Sequence, residues 1–190
     1  MALFQTVQKE RFIVEWEGND QWVSQRSEEH GMKIDVICIG KLKEKYWRDA
    51  VEEYAKRLGR YCRFQITELK EARLPANASE ADEENVKKTE GQAILSALQD
   101  RMYVVALDVR GKEMSSEKLA SRMEQHMNSG TEGISFLIGG SLGLSEEVLR
   151  RADTRLSFSP MTFPHQMMRV ILAEQIYRSF KIIHHETYHK

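Results

Sequence analysis

The stretch KIDVICIG, residues 33–40, runs straight into KLKEKYWRDAVEEYAKRLG, residues 41–59. The first is a short apolar run closed by glycine, which reads as a strand. In the second, Tyr46, Trp47, Val51, Tyr54 and Leu58 recur at helical spacing until Gly59 stops them. The same alternation continues outward along the chain. RFQITEL (63–69) alternates as a second strand. SEADEENVKKTEGQAILSAL (79–98) has a serine cap, an acidic first turn and an apolar second half, so it predicts a helix. YVVALDV (103–109) is a third strand and SSEKLASRMEQHM (115–127) a capped helix ended by NSG. ISFLIGG (134–140) is a fourth strand, SEEVLRRA (145–152) a short helix and RLSF (155–158) a fifth strand. Pro164 then opens a long helix to about Ile183, with the proline in the first turn where its missing N–H is harmless.

Strand and helix alternating five times predict an α/β fold, with a mostly parallel sheet of five to six strands covered by helices. The continuous apolar character of the strands fits a sheet buried on both faces. The chain's 190 residues, 41% hydrophobic and 30% charged, suit one domain, and residues 32–190 are expected to form it. Residues 1–31 stand outside the rhythm. RFIVEW and QWVSQ suggest a small hairpin there, marginal by itself, and Met32 suits a true start preceded by an upstream extension or leader. No apolar run approaches the roughly 20 residues of a membrane span, so the expectation is a cytoplasmic protein. Cys38 and Cys62 lack metal-type spacing and read as buried thiols in a reducing compartment.

The net charge of −1 conceals an uneven distribution. Residues 33–63 carry nine Lys/Arg against five Asp/Glu, residues 64–149 nine against fifteen, and residues 150–190 seven against three with four histidines besides. Two basic ends flanking an acidic middle permit one basic and one acidic face in the folded chain.

Ligands of open α/β sheets bind at the carboxyl ends of strands. Three ends stand out: Leu107-Asp108, Gly139-Gly140, and Phe158 followed by SPMTFPH. Two of the chain's three prolines, Pro160 and Pro164, bracket Met161, Thr162 and Phe163, and they stiffen a backbone suited to a flat heterocycle. GGSLGLS is neither a GxGxxG fingerprint nor a phosphate loop. His165, at the head of a helix, is better placed as a neutral imidazole than as a cation. In that helix Glu174 and Arg178 are spaced to pair, and its nearly all-round apolar surface predicts burial between the sheet and a second subunit. Arg169 and Arg178 read as either structural ion pairs or cleft-edge groups facing an anionic polymer. The terminal HHETYHK has adjacent histidines and no accompanying ligand cluster, so no metal is expected. It reads instead as a short arm able to stack on a base and meet a phosphate.

Taken together, KIDVICIGKLKEKYW, IGGSLGLSEEVL, LSFSPMTFPHQMMRVILAEQIYRSFKI and the final YHK resemble a bacterial family of ribosomal RNA large-subunit pseudouridine N3-methyltransferases of the SPOUT (α/β-knot) class. The resemblance runs from Met32 to Lys190. It implies a homodimer, a C-terminal trefoil knot (a rare exception to the rule against threading) and S-adenosylmethionine held in that knot. The implied cofactor contacts are Leu107, Gly139, Phe158, Ser159, Pro160, Met161, Thr162 and Phe163. The implied catalytic set is His165, Arg169, Arg178, Tyr188 and His189, with 23S ribosomal RNA in the ribosome as substrate. His165 and His189 are alternative bases for the imide proton of N3. Arg169 or Arg178 would stabilise the anion or grip phosphates, and Tyr188 would orient the base. A non-catalytic ribosome-associated factor of the same fold is the alternative, and intact glycine and proline loops speak against it.

Overall fold

The structure is a computed structural model that describes residues 14–17, 21–24 and 32–188. Its elements run β1 (Val14–Glu17), β2 (Gln21–Ser24), β3 (Lys33–Ile39), α1 (Lys45–Leu58), β4 (Arg63–Leu69), α2 (Glu80–Ala97), β5 (Met102–Glu113), α3 (Ser116–Asn128), β6 (Gly133–Ile138), α4 (Glu146–Arg151), β7 (Thr154–Ser157) and α5 (His165–Ile183). Strands β4, β3, β6, β5 and β7 lie side by side in that order, all parallel. This is the α/β architecture that the alternating pattern predicts. The helix starts are made by the serines that announced them. Ser79 forms a full capping box with Asp82, and the Ser115 and Ser145 hydroxyls accept from the backbone N–H of Lys118 and Val148.

Both faces of the sheet are covered, which is why its strands read as unbroken apolar runs. Ile34, Val36 and Cys38 of β3 face one layer with Val51 of α1, Met123 of α3 and Leu172, Ile176 and Phe180 of α5. Ile37 and Ile39 face the other layer with Ile94 of α2 and Val148 of α4. Cys38 and Cys62 are buried free thiols, and burial pushes the Cys38 thiol up to about 12.

Three local features depart from the sequence reading. Strand β5 continues to Glu113 instead of ending at Val109. It leaves β7 after Leu107 and rejoins it at Lys112, where Gly111 lies against the Arg155–Leu156 backbone too closely for a Cβ. Tyr46 is not part of the buried stripe of α1. It is 60% exposed, because its position is one helical step away from the Trp47, Val51, Tyr54, Leu58 face. The hairpin β1–β2, set aside from the fold by its sequence, pairs antiparallel with the outer edge of β4 and brings the sheet to seven strands.

The connections create a crevice. The chain leaves β5 for α3 in one layer and leaves the neighbouring β6 for α4 in the other. Loops departing to opposite faces from adjacent strands open a gap at their carboxyl ends. The segment after β7 closes that gap on its third side.

Candidate active site

The crevice is a cavity of about 410 Å³ lined by the irregular stretch 107–110 of β5, by the turn after β6 and by the end of β7 with the loop that follows it. That volume lies in the range of small-molecule sites. Of the residues expected to hold a cofactor, Leu107, Gly139, Phe158, Ser159, Met161, Thr162 and Phe163 line it, together with His165 from the head of α5. Pro160 does not line the cavity; it is exposed between two residues that do. Its loop is held by side chains as well as by the prolines. The Ser157 hydroxyl donates to the Ser159 carbonyl at 3.1 Å, and the Ser159 hydroxyl accepts from the Met161 N–H at 3.0 Å. Met161 stands 69% exposed at the rim.

The glycines after β6 have a reason other than ligand approach. A Cβ on Gly139 would sit 2.6 Å from the Gly143 carbonyl carbon and 2.7 Å from its oxygen. The Gly143 N–H donates to the Gly140 carbonyl, closing a tight turn, and Gly143 itself has φ +80°. Gly139 is therefore bare because its own loop folds back onto it, and the loop so shaped forms the cavity floor.

His165 is half-buried where α5 begins, with Pro164 as the N-cap. Its Nε2 lies 3.6 Å from the position a Gly40 Cβ would take. Burial and the neighbouring Arg169 guanidinium hold its pKa below the ordinary histidine value; Glu71 opposes that shift and Lys43 adds to it. The imidazole is thus neutral at neutral pH and able to accept a proton.

Arg169 is not at a cleft edge. It is 1% exposed. Its guanidinium pairs with Glu68 at 2.7 Å and donates to the Ile39 and Gly40 carbonyls at 2.7 and 2.9 Å. Glu68 in turn accepts from the Leu42 N–H at 2.9 Å. The pair ties the end of β3 to β4 and α5, so Arg169 acts through the backbone it holds. A fully desolvated guanidinium survives only with such partners.

Arg178 pairs with Glu174 one helical turn away, with Nε to Oε1 at 2.9 Å. Tyr188 folds back onto this pair. Its hydroxyl donates to Glu174 at 3.2 Å, its ring meets Tyr177 edge-on at 5.0 Å, and the Arg178 guanidinium lies 4.9 Å from its centroid. Burial, with help from Tyr54 and Glu174, pushes the Tyr188 phenol up to about 12, so it remains a hydrogen-bond donor. His189 lies outside the described residues. Thirteen helical positions separate His165 from Arg178, roughly 20 Å along α5. Within one chain, the residues expected to act together fall into two groups at opposite ends of one helix.

Two further carboxylates lie at or near the cavity, Asp108 in its wall and Glu90 behind Gly140; neither was carried into the expected site. Asp108 lines the cavity with its side chain 10% exposed; Oδ1 accepts from the Arg110 N–H, while Oδ2 is buried without a partner. Its signal was its place at a strand end. Glu90 accepts from the Ala72 N–H and leaves Oε2 unpartnered against Gly140, and nothing in its helix marked it. Among the described residues no cluster of three His, Cys, Asp or Glu side chains stands ready for a metal ion, and no helix is long and apolar enough to cross a membrane.

Comparison with known proteins matches residues 32–189 to the family described as "Predicted SPOUT methyltransferase". Proteins named ribosomal RNA large subunit methyltransferase H are similar over 159 residues, 84% of this chain and the whole of each relative. The identity is 54% for the Clostridium beijerinckii protein, 56% for that of Clostridium novyi and 54% for that of Alkaliphilus oremlandii. With the fold, the cavity and these likenesses in agreement, the chain belongs to the SPOUT methyltransferase family.

Proposed function

We propose that this methyltransferase is a cytoplasmic homodimer that uses S-adenosylmethionine to methylate N3 of a pseudouridine in large-subunit (23S) ribosomal RNA, on the assembled ribosome. The observation that carries the reading is the cavity. Seven of the eight residues implied as cofactor contacts line one space of about 410 Å³, and His165 lines it with them. The space suits the cofactor chemically as well. Its walls combine glycine-rich backbone with apolar side chains, and Asp108 is a carboxylate among its lining residues. When bound, S-adenosylmethionine supplies an electrophilic sulfonium methyl group.

The chain's own residues supply the remainder. Leu107, the turn at residues 139–143 and the loop at 158–163 orient the ligand, and the trefoil knot expected of the family would fix those loops. The imide N3 of a pseudouridine must lose its proton in the reaction, and a positioned base contributes roughly 10²–10⁴ in rate. Neutral His165 is the candidate base within the described residues, and His189 is its alternative from a partner's tail. Arg178 and Tyr188 carry a charge and a fixed donor to the base or its flanking phosphates. They are remote from their own chain's cavity. A dimer pairing one subunit's cavity with the other's tail would bring both groups together, and the half-buried Met167, Ile171 and Ile182 on α5 offer it an apolar surface.

Calorimetry with S-adenosylmethionine, followed by nucleoside mass spectrometry of ribosomes incubated with protein and cofactor, tests the proposal. The expected result is one bound cofactor per cavity and one new methylated pseudouridine. Cofactor binding with no RNA methylation would favour the non-catalytic ribosome factor.

A further inference from the structure

The connection between β3 and α1, residues 40–44, is short, yet charged side chains hold its backbone from three directions. Arg169 takes the Ile39 and Gly40 carbonyls, Glu68 takes the Leu42 N–H, and the Arg48 guanidinium donates to the Leu42 and Lys43 carbonyls at 3.2 and 3.0 Å. Leu42 is pinned in the core at 4% exposure. Gly40 has φ +84° and its N–H donates to the Leu69 carbonyl at 2.8 Å. So much internal bracing is unusual for a surface connection, whose backbone groups water can satisfy. Its effect is to fix what points outward. Lys41, Lys43, Lys45 and Tyr46 are all exposed, Tyr46 to 60%, with the Trp47 ring tilted against it at 4.9 Å. One acid, Glu44, lies among them, and Lys45 pairs with Asp49 across an exposed helical turn. The loop also adjoins the reaction centre. Gly40 abuts His165, and the Lys43 charge is felt at that imidazole.

We propose that this braced loop is a ribosomal-RNA contact surface, with Lys43 meeting a phosphate beside the target nucleotide and the Tyr46 ring stacking on a neighbouring unpaired base. The proposal rests on the ribosomal RNA reading above and adds to it the element that receives the RNA on the His165 side of the cavity. The chemistry is that of single-stranded RNA recognition, in which cations position the backbone and exposed aromatic rings take splayed bases. It also gives the basic segment at residues 33–63 a use that overall charge conceals.

The test measures binding of Lys43→Glu, Tyr46→Ala and wild-type protein to purified ribosomes over a range of salt, together with cofactor calorimetry on each. Loss of a phosphate contact should flatten the slope of log affinity against log salt by about 0.7–0.9 for Lys43→Glu. Loss of stacking should weaken ribosome binding roughly ten-fold for Tyr46→Ala with the slope unchanged. Both variants should bind S-adenosylmethionine as the wild type does. Wild-type ribosome affinity and salt slope in both variants would overturn the proposal, as would loss of cofactor binding in parallel with loss of ribosome binding. If the wild type binds ribosomes in this Lys43-dependent way but methylates nothing, the contact surface stands and the assigned reaction falls.

Discussion

At the scale of single residues, His165 and Gly139 make opposite demands on their surroundings. His165 needs to be neutral, and burial beside Arg169 keeps it so. The acid limb of the rate profile for methyl transfer should therefore lie below the ordinary histidine value of about 6.5. His165→Gln should remove that limb and lower the rate by roughly 10²–10⁴. A limb unchanged in His165→Gln would pass the role to His189. The same shift has a sign for stability. Because the folded pKa is below the unfolded one, the contribution is present above about pH 6.5 and is lost as the pH falls through the folded value. Gly139 instead needs to have no side chain. Gly139→Ala places a methyl against the Gly143 backbone, so it should cost about 1–3 kcal/mol and weaken cofactor binding by deforming the turn. Gly143→Ala meets nothing within 4 Å and strains only a positive φ, for about 1 kcal/mol. Thermal melts and calorimetry on the two variants separate a turn requirement from a ligand requirement.

At the scale of elements, the Arg169–Glu68 pair shows what sequence could not disclose. Strands and caps were legible because period and cap chemistry are local: Ser79, Ser115 and Ser145 each act within three residues. The cavity walls were legible because ligands gather at strand ends and because glycine and proline mark shaped loops. Which of the two readings of Arg169 holds, structural ion pair or cleft-edge group, was not, since the partner that decides it lies 101 positions away. The extension of β5 was hidden for a related reason. Its last residues, Arg110 to Glu113, are polar, and only the approach to β7 makes them strand. Arg169→Met should leave Glu68 buried and unpaired and cost about 3–5 kcal/mol in urea denaturation. Replacing both, as Arg169→Met with Glu68→Leu, should recover much of that loss while leaving the β3–α1 loop braced by Arg48 and the Gly40–Leu69 bond alone, and ribosome binding weaker. An Arg169→Met variant of full stability would show that the pair does not hold these elements together.

At the scale of the molecule, two ends of the chain remain to be placed in function. The family match begins at residue 32, and β1–β2 adds to the sheet edge farthest from β7. Deleting residues 1–31 should therefore leave cofactor affinity unchanged while exposing the β4 edge, which would register as a greater tendency to self-associate on sizing columns. The other end decides whether one subunit is an enzyme. Arg178 and Tyr188 form one packed group about 20 Å along α5 from His165, so a mixed dimer can tell whose tail serves whose cavity. One subunit would carry Arg178→Ala and Tyr188→Ala. The other would carry Thr162→Trp, which fills the cavity from an exposed loop position and leaves the core intact. If each site joins one subunit's cavity to the other's tail, one site pairs two damaged halves and the second pairs two sound ones. The mixed dimer should then retain about half of the wild-type activity on ribosomes, by two-fold symmetry. If each site lies within a single subunit, every site contains one damaged half and the mixed dimer should be inactive.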